Sequence, residues 1–169
     1  MKLYLIDPHE DRLYKNGLFN PKLDSSFVVW VKIKKLLLIK KIILDTIDLH
    51  PVEKADKIFF FDHQTYSLFN HKLSHYLQLC IQKKIPKNKL NLIISESPIM
   101  KPETWLIKNH IFYGKIFTWN DALIDNKKYF HYSWLQNIEY NKPTKVRFED
   151  KKLITVINAQ KTNYLPNEL

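Results

Sequence analysis

Two stretches of this chain are almost wholly apolar and then stop at polar residues. Lys57 to Phe61 closes on Asp62 and His63, and Leu90 to Ile94 closes on Ser95-Glu96-Ser97-Pro98. An apolar run without period-two alternation suits a strand buried on both faces, which is the condition of strands in parallel sheets. A third run, Ile111 to Trp119, ends in Asn120 and Asp121. Runs of this kind deliver polar groups at their C-terminal ends, and in open α/β sheets that edge is where ligands bind. His63, Ser95, Glu96, Ser97, Trp119 and Asn120 are therefore the candidate site residues.

The rest of the chain supplies more strands and the helices to cover them. Lys2 to Ile6 reads as a first strand stopped by Asp7-Pro8, and residues 8–26 read as irregular. Ser25 or Ser26 is placed to cap a helix over 26–38. The β-branched Val28, Val29, Val31 and Ile33 make a strand the rival there. A strand follows over Lys41 to Asp45, then a turn or short helical step from Pro51 to Asp56. Leu73, Tyr76, Leu77, Cys80 and Ile81 recur at three- and four-residue spacing, which marks an amphipathic helix with Asn70 as its cap. A short helix is expected from Pro102 to Asn109, and strands over Tyr113 to Trp119 and Lys128 to Trp134. Strands alternating with helices predict an α/β fold, a mainly parallel sheet with helices on both faces in the Rossmann-like manner.

Composition narrows the function. At 169 residues the chain has the size of one domain, and 45% hydrophobic content can fill a core. Two glycines are too few for a glycine-rich phosphate loop. The single Cys80 allows no internal disulfide and fits a reducing, cytoplasmic setting. The net charge is +10, yet only Arg12 and Arg147 are arginine, the better fork for phosphate and guanine, and this argues against nucleic acid. Phe27 to Leu44 is interrupted by five lysines, each costing roughly 3 kcal/mol at a bilayer centre, so it is not expected to span a membrane. The same lysine-rich stretch allows peripheral contact with an anionic membrane surface. His71 and His75 stand four apart, a spacing able to bind metal. With no Cys or carboxylate at matching positions, no metal site is predicted. Trp105 and Trp119 have faces able to stack on a sugar.

Three segments in order carry a resemblance: ISESP at 94–98, FTWNDALIDNKKYF at 117–130, and KKLITVINAQKTNYLPNEL at 151–169. Together they resemble the α-1,3-fucosyltransferases of glycosyltransferase family 10. The resemblance implies the N-terminal half of a GT-B enzyme. Residues 1–135 would form the acceptor-side domain, 136–150 a linker and 151–169 the start of a truncated donor-binding domain. It implies GDP-fucose as donor substrate with no built-in cofactor, a glycan hydroxyl as acceptor, and inversion at the transferred sugar. Glu96 matches the family's base, flanked by Ser95, Ser97, His63, Trp119 and Asn120 as substrate contacts. The family's downstream nucleotide-gripping residues have no counterpart here, so the chain alone is expected to be inactive and to need a donor-domain polypeptide as partner. The alternative is a non-catalytic basic α/β module that binds polyanions, nucleic acid or an anionic membrane surface.

Overall fold

The structure is a computed structural model that describes residues 1–8, 11–23, 28–63, 74–133 and 147–150. Six strands form one sheet: β1 (Lys2–Asp7), β2 (Ile42–Thr46), β3 (Lys57–Phe61), β4 (Leu90–Ile93), β5 (Lys115–Thr118) and β6 (Tyr129–His131). Their order is β2-β1-β3-β4-β5-β6, and every neighbouring pair is parallel. The chain moves outward from β1 to β2, then crosses back to β3 on the other side of β1. That reversal is the topological switch of the doubly wound class, and the α/β, Rossmann-like expectation holds.

Helices lie on both faces. α1 (Val28–Ile39) joins β1 to β2, and α2 (His75–Gln82) joins β3 to β4. The strand rival for residues 28–33 loses because Trp30, Ile33 and Leu37 recur at helical spacing and pack on the sheet. The indole of Trp30 meets Phe61 edge-on at 5.0 Å. On the opposite face, Leu77 and Cys80 of α2 are fully buried against Phe60, Leu92 and Tyr113. Ser74 caps α2, its hydroxyl accepting from the Leu77 N–H at 3.1 Å. The expected cap Asn70, together with Ser25, Ser26, His71 and Leu73, lies outside the described residues. Ile81, assigned to the apolar stripe, is exposed; Ile85 packs against the core in its stead.

Three boundaries differ from expectation. The helix at Pro102 lasts one turn, α3 (Pro102–Trp105), before a 3₁₀ stretch from Ile107 to Phe112 takes over. β5 starts only after Gly114 and ends before Trp119, and β6 is three residues long. Residues 8–26 are irregular as expected where described, with Leu13 and Leu18 buried by two 3₁₀ turns. Asn16 fastens this segment to β2: it exchanges hydrogen bonds with Thr46 and donates from Nδ2 to Asp45 at 2.9 Å. Most of the 136–150 linker and all of 151–169 lie outside the described residues. Among the described residues, no helix is long and apolar enough to cross a membrane.

Gly114 leads into β5 through a tight passage. A Cβ there would stand 2.7 Å from the Lys87 carbonyl oxygen and 2.8 Å from the Asn88 Cα, both backbone atoms that cannot swing aside. Gly114→Ala is expected to lower unfolding stability by about 2 kcal/mol, read by urea denaturation, because overpacking against backbone costs on that order.

Candidate active site at the carboxyl edge of the sheet

β3 and β4 run side by side with Phe61 opposite Ile93, so the residues that follow them emerge together at one edge. Asp62 takes a left-handed conformation with φ of 54°, which Asp tolerates better than most residues. That turn places its buried carboxylate under the start of the loop after β4. Oδ1 accepts the Ser95 N–H at 2.9 Å and the Glu96 N–H at 3.3 Å, and Oδ2 accepts the Ser95 hydroxyl. One side chain directly after β3 thus fixes the backbone that carries Glu96.

Glu96 itself is half-buried. Its carbonyl accepts the Trp105 indole N–H at 3.0 Å, and Trp105 in turn meets Trp119 at 5.2 Å with the rings tilted by 66°. Among the described residues its carboxylate takes part in no hydrogen bond or ion pair, so it is available to a ligand. Trp119 keeps 41% of its surface exposed beside it. Ser95 is spent on Asp62. Ser97 opens a turn, accepting from Met100 and Lys101 through its carbonyl at 3.1 and 3.0 Å.

Two candidate contacts have partners within the fold. His63 is fully buried: its N–H donates to the Thr104 hydroxyl, its Nδ1 pairs with the Tyr113 hydroxyl at 2.8 Å, and its ring stacks on Phe112. Burial, with His110 nearby, pushes its pKa down to about 4, so the ring is neutral and structural. It has no exposed surface to offer a sugar. Asn120 uses its side-chain oxygen to accept from Ala122 N–H at 3.0 Å, capping the turn after β5.

The residues that sequence reasoning passed over form two separate polar clusters in the interior. His110 Nε2 pairs with the Thr104 carbonyl at 2.7 Å, an acceptor only, so Nε2 carries the proton and Nδ1 accepts from the Tyr129 hydroxyl at 2.9 Å. Asp7, at the end of β1, is fully buried; its Oδ1 accepts from Tyr14 at 2.8 Å and its Oδ2 has no partner. The one available signal was the repetition of an apolar run closed by aspartate, in LID at 5–7 and FFD at 60–62.

Other groups are ordinary. Cys80 is a core thiol whose pKa burial pushes up to about 12, with Asp7 and Glu53 adding to the effect. Among the described residues, no three His, Cys, Asp or Glu side chains gather to hold a metal ion. One concavity lies between α1 and the sheet, lined by Trp30, Leu37 and Phe59, and another is lined by His50, Glu53 and Tyr76; Glu96 lines neither. Compared with protein-family models, with curated proteins and with solved structures, the chain has no significant match.

Proposed function

We propose that the chain is the acceptor-side lobe of a sugar-transferring enzyme of GT-B type, with Glu96 as its base. The observation that carries this reading is a carboxylate without a partner at the tip of a central parallel strand. It stands on a loop held by Asp62 and lies beside the paired indoles of Trp105 and Trp119. In the proposed step an acceptor hydroxyl oxygen bonds to C1 of the donor sugar. The bond from C1 to the nucleotide phosphate breaks with inversion, and the hydroxyl proton passes to Glu96. A positioned base of this kind contributes on the order of 100- to 10,000-fold. GDP-fucose as donor rests on the family resemblance of residues 94–98, 117–130 and 151–169.

The test uses this chain joined to a donor domain of that family and supplied with GDP-fucose and a glycan. Glu96→Gln is expected to lower transfer at least about 100-fold with the circular dichroism spectrum unchanged. Equal turnover by Gln and Glu at this position removes the reading. The polyanion-binding alternative requires instead that the unaltered chain bind nucleic acid or anionic lipid, with an affinity that falls steeply with salt.

A further inference from the structure

The topology gathers lysines at the edge opposite Glu96. Because all strands are parallel, their first residues share one edge, and each strand carries a lysine within about three residues of its start. In spatial order from β2 to β6 these are Lys41, Lys2, Lys57, Lys87, Lys115 and Lys128. Strands are spaced by about 4.8 Å, so the row runs roughly 24 Å across the molecule. Lys57 donates to the Asn88 carbonyl, and Lys115 and Lys128 lie over the Phe130 and Tyr129 rings, contacts that leave each positive charge in place. Two carboxylates share this edge and keep their charge, Asp56 accepting from the Leu3 N–H and Asp125 from three backbone N–H groups, and they offset part but not all of the six lysine charges.

One end of this row is also apolar. α1 runs against the strands and ends at the same edge, where the Lys2 N–H donates to the Lys41 carbonyl. There Met1 is 83% exposed, Ile39 79%, Leu36 61% and Leu38 59%, next to the exposed Lys40 and Lys41. Lysine suits a diffuse anionic surface as a compact point charge, whereas base readout favours arginine. Large aliphatic side chains beside lysines fit the headgroup–acyl boundary, where apolar burial adds to attraction by anionic lipid. A nucleic-acid backbone has no use for Ile39 and Leu36.

We infer that the amino edge of the sheet is a docking surface for an anionic lipid bilayer, with Lys2, Lys41 and Lys115 against the headgroups and Ile39 and Leu36 inserted among them. Docked this way, the protein turns Asp7, Asp62 and Glu96, at the other ends of β1, β3 and β4, toward the aqueous side. The inference stands on topology and exposure and is independent of the role given to Glu96.

Co-sedimentation with phosphatidylcholine vesicles, with and without phosphatidylglycerol, tests it. Binding is expected only to the anionic vesicles and is expected to weaken as salt rises. Each neutralised lysine is worth roughly fivefold, so the combined Lys2→Gln, Lys41→Gln and Lys115→Gln variant is expected to bind roughly 100-fold more weakly. Ile39→Asp is expected to weaken vesicle binding at least about tenfold and leave any binding of single-stranded RNA unchanged. All four side chains are exposed, and thermal unfolding checks that the variants fold. The inference is overturned by equal binding to neutral and anionic vesicles or by none to either. It is also overturned if the lysine variant binds like the unaltered chain, or if RNA is bound more tightly than vesicles while Ile39→Asp changes nothing.

Discussion

Asp62→Ala is expected to lower unfolding stability by about 3–5 kcal/mol, because it strands buried donors that the Asp62 side chain now satisfies. The carboxylate accepts from Ser95 N–H, from the Ser95 hydroxyl and from Glu96 N–H, and both Asp62 and Ser95 are buried. The hydroxyl can rotate to another acceptor, but the Ser95 N–H is fixed by the backbone. The left-handed φ of 54° adds to the loss, since alanine is less at ease there than aspartate. In a domain of this size each kcal/mol moves the melting temperature by about 2–4 °C, so a fall near 10 °C is expected in a thermal scan. Asp62→Asn is the control that keeps both backbone and acceptor. Asparagine tolerates the same backbone and keeps one oxygen for the Ser95 N–H, while Ser95 can turn its hydroxyl to accept from the new amide. Its loss is expected to be about 1 kcal/mol. Equal losses for Ala and Asn would mean that neither the left-handed backbone nor the retained acceptor oxygen, both of which asparagine keeps, is what matters at this position.

This clamp also marks where the sequence stopped being informative. β3 and β4 were legible because both faces of each are covered, which forces Ile58 to Phe61 and Leu90 to Ile94 to be apolar almost throughout. The candidate base was legible because a carboxylate directly after such a run must emerge at the sheet edge. The partner of its loop was not, since Asp62 meets Ser95 only through the register that sets Phe61 beside Ile93. Register between parallel strands is decided by packing across a long connection and leaves no local trace.

His63 fell on the same gap. Its expected outward aim assumed that the strand continues straight, but the positive φ at Asp62 redirects the chain and turns the ring into the core against Phe112. Asn120 also serves the fold: an Asn three residues before Leu123 is equally a turn cap, and its side-chain oxygen takes that role. The lysine row is the opposite case. The six lysines stand far apart in sequence, and only the all-parallel order brings them to one edge.

Asp7→Asn is expected to stabilise the protein, and by more as pH rises. Burial of Asp7, only partly opposed by the hydrogen bond from Tyr14 and reinforced by the nearby Asp48, raises its pKa from 3.8 to about 7. The folded state therefore holds a proton that the unfolded chain releases above pH 3.8, and stability is lost with rising pH until the folded group ionises near 7. A shift of about 3 units corresponds to roughly 4 kcal/mol. His63 acts in the other direction. Its folded pKa lies at about 4 against 6.5, so the unfolded chain binds the extra proton and stability is lost as pH falls from 6.5 toward 4. Between these limits one proton is gained and one released on unfolding, and the two dependences cancel. Removing Asp7 exposes the His63 dependence. The difference in unfolding free energy between Asp7→Asn and the unaltered chain, from urea titrations, is expected to grow by about 3 kcal/mol between pH 4.5 and pH 8. The variant alone is expected to gain stability from pH 4.5 to 6.5 more steeply than the unaltered chain, and His110, whose pKa burial also lowers, adds to the gain in both. A difference that does not change with pH would mean that Asp7 ionises in the folded protein as it does in the unfolded chain, and that its unpartnered oxygen reaches solvent.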